Sequence, residues 1–136
     1  MRKYVQWGLI GLLVVWMLYV GGGKALWMEP FSVRMPAMHY GEMPTRLIGL
    51  LEVIGALALL VPRLRTASLL GLMFLMAGAI GSHWAAGHTF AHGAAANFSF
   101  VVLAIALFVD RPELFRVFFT ASDSSGGLRH SGAGGV

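Results

Sequence analysis

The chain has 136 residues, of which 57% are hydrophobic and only 12% charged, with a net charge of +4 and a mean hydropathy of +0.74. A water-soluble fold of this size would need more polar surface, so the composition indicates a membrane protein. The sequence has no dense basic patch interleaved with aromatic residues, so nucleic-acid binding is not indicated. The lack of cysteine excludes disulfides, thiol catalysis and iron–sulfur ligation by this chain.

Apolar runs predict an all-α polytopic membrane protein, a four-transmembrane-helix bundle. A bilayer core about 30 Å thick needs roughly 20 helical residues, and the runs cover about 4–23, 47–61, 66–84 and 94–109. The second and fourth runs are at the low end of spanning length. The first follows Arg2 and Lys3 as a signal peptide would, but it exceeds the usual apolar length and lacks an A-x-A cleavage site, which predicts an uncleaved helix.

The segments between and after these runs differ in character. The first connection, from Lys24 to Arg46, contains three prolines and four methionines and is predicted to be an ordered cap or short interfacial helix on the external face. The second is the tight sequence PRLR, and the third contains no Lys or Arg. An amphipathic interfacial helix is predicted at about 112–120. A membrane domain is thus expected over 1–121, followed by a Gly- and Ser-rich disordered tail over 122–136.

The distribution of Lys and Arg predicts the orientation in a cell membrane. The excess lies on the side of the two termini, which the positive-inside rule places in the cytoplasm. The cations assigned to that side are Arg2, Lys3, Arg63, Arg65, Arg111 and Arg116, and those assigned to the other side are Lys24, Arg34 and Arg46.

Each of the four predicted helices carries one polar residue toward the outer half of the bundle. They are Lys24, Glu52, His83 and Asn97, with Glu52 about 9 Å in from Arg46 at the helical rise per residue. We predict that these four residues form a ligand-binding or proton-handling site. The aromatic residues predicted to line its pocket are Trp27, Phe31 and Trp84.

Glu52 has two interpretations. An ionisable residue within an apolar run is costly and is commonly functional, here as a proton-handling carboxylate or a partner for a bound polar group. The alternative is a structural ion pair with Lys24 that fixes the helix register. Lys24 alone is also typical of an interfacial lysine that extends its ammonium toward water.

The histidines allow a metal hypothesis that the sequence does not favour. His88 and His92 have the i, i+4 spacing of helical zinc ligands, but Gly87 and Gly93 indicate a loop, and no nearby carboxylate completes a ligand set. No metal site is therefore predicted. His83 is the one histidine assigned to the site, because it lies at the end of a helix.

Small residues at four-residue spacing predict close helix contacts, as is usual in lipid. In the third run these pairs are Ala67 with Gly71 and Ala77 with Gly81. The second run carries Gly49, Gly55, Ala56 and Ala58.

Three segments together resemble a known family. They are GGGKALW at the end of the first helix, LLEVIGALALLVPRLR through the second and LMFLMAGAIGSHW through the third. These segments resemble the DoxX family of small four-helix membrane proteins, over roughly Trp7 to Val109. The resemblance implies a subunit of the kind found with an archaeal terminal oxidase and thiosulfate:quinone oxidoreduction, or with membrane-bound oxidative-stress complexes. The residues of this chain to which the resemblance assigns a functional role are Lys24, Glu52 and His83.

Two functional hypotheses follow. The first is a redox-associated membrane subunit that binds quinone, with Glu52 and His83 on its carbonyl oxygens and Lys24 tuning Glu52. The chain has no evident electron-transfer centre, so it is not expected to be a complete enzyme alone. The second is a non-catalytic scaffold or accessory subunit of a larger membrane complex. A minimal transporter is less favoured, because no inverted repeat is evident.

Overall fold

Helices are the regular secondary structure of the described part of the chain. The computed structural model describes residues 1–114, apart from the side chain of Arg2, and no strand occurs among them. The all-α prediction is therefore confirmed. The five helices in chain order are α1 (Arg2–Ala25), α2 (Phe31–Ala37), α3 (Glu42–Ala58), α4 (Arg65–Ala85) and α5 (Ala94–Asp110).

The helix limits differ from the predicted ones chiefly in α3. This helix begins before residue 47, because Gly41 forms an extended N-cap and Pro44 is tolerated in a first turn. Glu42 and Arg46 form an i,i+4 ion pair of 2.6 Å there. The helix ends at Ala58, ahead of the predicted end at residue 61.

Two further predicted segments are only partly described. The first connection contains the short helix α2, and the residues on either side of it, Trp27 and His39, have positive φ angles of 56° and 62°. Residues 112–114 are helical. The rest of the predicted helix at 112–120, and the predicted tail at 122–136, lie outside the described residues.

The four long helices alternate in direction around the bundle. α1 packs along α3, α4 packs along α5, and contacts of α1 with α5 and of α3 with α4 close the ring. A hydrogen bond joins Lys24, near the end of α1, to Glu52 in the interior of α3. Others join the ends of α1, α4 and α5 near Asp110. We call these two faces of the bundle the Lys24 end and the Asp110 end.

The apolar side chains divide into a buried core and an exposed outer belt. The core draws on all four long helices and includes Ile10, Met17, Ala56, Leu72 and Leu103. Large apolar residues also cover the outside of every long helix, among them Val15, Ile54, Phe74 and Ile105. Two helices in the described region, Lys3–Ala25 and Arg65–Ala85, are long and apolar enough to cross a bilayer.

Backbones meet most closely where α1 crosses α3. A Cβ atom on Gly49 would lie 2.5 Å from both the Ala25 nitrogen and the Gly21 oxygen. Glycine is therefore required at position 49, and the crossing brings Lys24 beside Glu52. The predicted contacts of the small residues of α4 are not made with any of the residues that the structure describes. Ala67, Gly71, Ala77 and Gly81 are all exposed, and a Cβ on Gly71 or Gly81 would meet open space.

Gly49→Ala is expected to destabilise the bundle by about 1–3 kcal/mol, because the added methyl group must push two helix backbones apart. Gly71→Ala is the matched control, and it should be neutral or stabilising by up to about 1 kcal/mol through helix propensity. Denaturant titration of both variants in the same detergent measures the difference. Equal stability of the two variants would contradict the close crossing of α1 and α3.

Candidate functional site

A cavity of about 150 Å³ lies at the Lys24 end, where α2 covers the bundle. Among the described residues that line it there is no carboxylate. Its polar lining residues are Lys24, Arg34, Tyr40, Ser82, His83, His92 and Ser99, and its apolar ones include Trp16, Phe31, Met35, Met38, Ile48 and Met76. The cavity is thus an apolar space with cationic and hydrogen-bonding groups on its walls.

Lys24 and Glu52 form a buried ion pair beside this cavity. Lys24 Nζ donates to Glu52 Oε1 over 2.6 Å, and the Glu52 side chain is 0% exposed. Glu52 Oε2 has no hydrogen-bond partner in the described region. The pairing that the sequence left open is therefore present in the structure, and the close approach of α1 and α3 holds it together.

The two members of the pair have different positions relative to the cavity. Lys24 lines it, whereas Glu52 does not. An ammonium has three N–H donors, so the one that binds Glu52 leaves two for a ligand. The arrangement therefore presents Lys24 to the cavity and places Glu52 behind it as the anchoring carboxylate.

His83 reaches the same cavity from the end of α4. Its Nδ1 lies 3.1 Å from Nδ1 of His88, which leaves Nε2 for other partners. The rings of His88 and His92 lie 5.2 Å apart between centroids and are tilted by 32°, and Thr89 Oγ1 lies 2.8 Å from His92 Nδ1. Among the described residues, no group of three His, Cys, Asp or Glu side chains is arranged to hold a metal ion.

The other predicted residues divide into one that lines the cavity and three that do not. Phe31 lines it, with its ring against Gly23 where any side chain would collide. Trp84 is 70% exposed and lies outside, and Trp27 is also outside the cavity. Asn97 lies near His83, because both are within about 3.5 Å of the Cβ position of Gly93, but it does not line the cavity.

Sequence reasoning did not assign two hydrogen-bonded pairs on the cavity wall. The Tyr40 hydroxyl lies 2.7 Å from Ser82 Oγ, which ties the segment after α2 to α4. Trp16 Nε1 donates to Ser99 Oγ over 2.9 Å, which ties α1 to α5. Ser99 is only 2% exposed within a long apolar run, and that isolated polar position was the available signal.

Comparison with protein families identifies the chain. The model of the DoxX-like family matches residues 8–109. The chain belongs to the DoxX-like family. Comparison with curated proteins and with solved structures gives no significant match. The resemblance seen in the sequence is therefore confirmed, and the matched region of this DoxX-like membrane protein contains Lys24, Glu52, His83 and Asn97.

A second polar cluster in this DoxX-like chain lies at the Asp110 end. Asp110 accepts hydrogen bonds from Gln6 and Thr66, and its carboxylate lies 3.7 Å from Arg65 Nη1. Arg65 is only 5% exposed and stacks on the ring of Trp7 at 4.6 Å. The distribution of charges predicted that Arg65 lies at the membrane surface. In the structure Arg65 is buried and joins the helices.

Proposed function

We propose that this DoxX-like protein is a multi-pass membrane subunit that binds a quinone in the cavity at the Lys24 end. The observation that carries the proposal is a carboxylate-free, largely apolar cavity whose wall presents Lys24 and His83. Ligand sites are commonly apolar with a few convergent polar groups. A quinone matches this site because it has an apolar ring and two opposed oxygen atoms that accept hydrogen bonds.

The proposed topology places both termini in the cytoplasm and the Lys24 end at the outer face of a cell membrane. It is supported by the alternating directions of the four long helices and by the positive-inside rule. α1 spans about 36 Å and α5 about 25 Å at 1.5 Å per residue. The shorter helices would be accommodated by local thinning of the bilayer.

Within the site, Lys24 and His83 supply hydrogen bonds to the quinone oxygens, and Phe31 and Trp16 flank the ring. Glu52 acts through Lys24, because the carboxylate fixes the ammonium at the cavity wall. Reduction of a quinone to a quinol takes up two electrons and two protons, and hydrogen-bonded side chains are suited to the proton transfers. The electrons would come from a partner subunit or a bound cofactor, so the protein acts as part of a larger redox complex.

His83→Asn tests the ligand site directly. We expect the Kd for a short-tailed benzoquinone to rise about fivefold, since one hydrogen bond of about 1 kcal/mol is lost or misplaced. His39→Asn is the matched control, because His39 is exposed and asparagine tolerates its positive φ angle. Quenching of tryptophan fluorescence in lipid discs measures both. Equal binding by the two variants would contradict the assigned role of His83.

A scaffold function is supported by a different observation. The small residues Ala67, Gly71, Ala77 and Gly81 form an exposed face on α4, and such faces permit close helix approach in lipid. Under this alternative, Gly71→Leu should release a membrane complex that co-purifies with the wild type, without changing quinone binding. Retention of the complex by that variant would argue against the scaffold role of this face.

A further inference from the structure

A narrow apolar cleft lies between α1 and α5, deeper in the bundle than the cavity. Its volume is about 30 Å³, and it is lined by Leu12, Leu13, Trp16, Phe98, Ser99 and Val102. The one hydroxyl in this lining belongs to Ser99, which already donates to Ala95 O over 2.7 Å and accepts from Trp16. The cleft therefore offers a ligand apolar contacts and no free hydrogen-bonding group.

The cleft and the cavity share two wall residues. Trp16 and Ser99 line both spaces, so their hydrogen bond lies at the boundary between the cavity, which has cationic groups on its wall, and the wholly apolar cleft. Along α1, Leu12 lies about 18 Å from Lys24 at 1.5 Å per residue. The two adjoining spaces thus run from a cationic end at Lys24 to an apolar end beside Leu12.

The cleft is open toward the outside of the bundle, between α1 and α5. Leu12 and Phe98 are 54% and 56% exposed, whereas Leu13 and Val102 form a buried floor. In a bilayer this rim faces lipid tails and not water. A ligand whose ring occupies the cavity would have a hydrocarbon chain directed along the cleft into the membrane.

We propose that the α1–α5 cleft is the exit path for the polyprenyl tail of a quinone held in the cavity, so that the substrate class is a long-tailed, membrane-soluble quinone. The inference rests on the proposed quinone function. A tail gains no hydrophobic free energy on moving from lipid into an apolar cleft. The cleft therefore acts through shape, since it allows a tailed ligand to bind without a collision between its tail and the α1–α5 seam.

Leu12→Trp is the plug variant, because Leu12 lines the cleft but is exposed enough to accept a larger side chain without overpacking the core. Val15→Trp is the matched control on the same helix, since Val15 is 70% exposed and does not line the cleft. The full-length protein in lipid discs is titrated with two quinones that share one ring, one without a tail and one with a polyprenyl tail. Comparison of variants in identical discs removes the effect of ligand partitioning into lipid.

We expect Leu12→Trp to raise the Kd of the tailed quinone at least about tenfold, equivalent to about 1.4 kcal/mol, and to leave the Kd of the tailless quinone unchanged. Val15→Trp should change neither value. Two results would overturn the tail path and leave the proposed function intact. One is unchanged binding of the tailed quinone by Leu12→Trp, and the other is an equal loss of affinity for both quinones. Failure of both quinones to bind the wild type would overturn the proposed function and the tail path together.

A photoreactive group on the tail supplies a second measurement. In the wild type, crosslinks should concentrate on Leu12, Phe98 and Val102, and an excess of unlabelled tailed quinone should suppress them. Crosslinks spread evenly over the lipid-facing residues would contradict the tail path. Crosslinks at the cleft that unlabelled quinone does not suppress would identify a nonspecific lipid-chain site and would likewise contradict it.

Discussion

Replacing Lys24 with methionine is expected to lower the free energy of unfolding by about 3–5 kcal/mol, the usual cost of leaving a buried charge without its partner. Glu52 is 0% exposed and its second oxygen already lacks a hydrogen bond. Removal of the ammonium would therefore leave the carboxyl group with no partner in the described region. Denaturant titration in detergent micelles measures the loss.

Two controls separate the ion pair from a general effect of losing charge. The double variant Lys24→Met/Glu52→Leu should recover most of the lost stability, because an apolar pair of similar volume commonly replaces a buried ion pair at little cost. Arg46→Met removes the exposed pair with Glu42 and should cost less than about 1 kcal/mol. A double variant that is less stable than Lys24→Met would contradict this account of the pair.

Asp110→Leu is expected to destabilise the opposite end of the bundle by about 3 kcal/mol, because it leaves the buried Arg65 without its carboxylate. The same change removes the acceptor for Gln6 and Thr66, which link α1 and α4 to α5. Thermal unfolding followed by circular dichroism measures the effect.

Glu113→Leu is the matched control for Asp110. The Glu113 side chain is 61% exposed and its contact with Arg111 is 3.5 Å, so its removal should cost less than about 1 kcal/mol. If the two variants unfold alike, the cluster at the Asp110 end does not join the helices. Quinone binding should be kept by Asp110→Leu at temperatures where it is folded, since the cavity lies at the other end.

The composition and the apolar runs were enough to predict the helical class and a shared depth for Lys24 and Glu52. The depth of a residue in the bundle follows from its distance along the helix. The first helix ends and the next one begins on the same side of the bundle, so Lys24 and Glu52 lie at similar depths. The structure adds the direct contact, which depends on helix rotation. Gly21 and Gly49 fix that rotation, because only glycine permits the backbones to approach so closely.

Rotation also explains what the sequence could not predict. Trp84 was expected to line the pocket, but its position on α4 directs it outward, whereas His83 beside it lines the cavity. Arg65 is buried because Asp110 and Trp7 meet it from two other helices, a convergence across distant parts of the chain. Local patterns give the face of a helix only when its apolar stripe is narrow, and in these helices apolar residues cover every side.

The proposed role of the Lys24–Glu52 pair is to present an ammonium to a quinone in the adjoining cavity. Mass spectrometry of the organic extract from protein purified in native lipid discs tests this role, by comparing the wild type with the double variant Lys24→Met/Glu52→Leu. We predict a stoichiometric quinone in the wild type and none in the double variant, with the fold of both intact. Quinone that is absent from the wild type, or equally abundant in the double variant, would contradict this role.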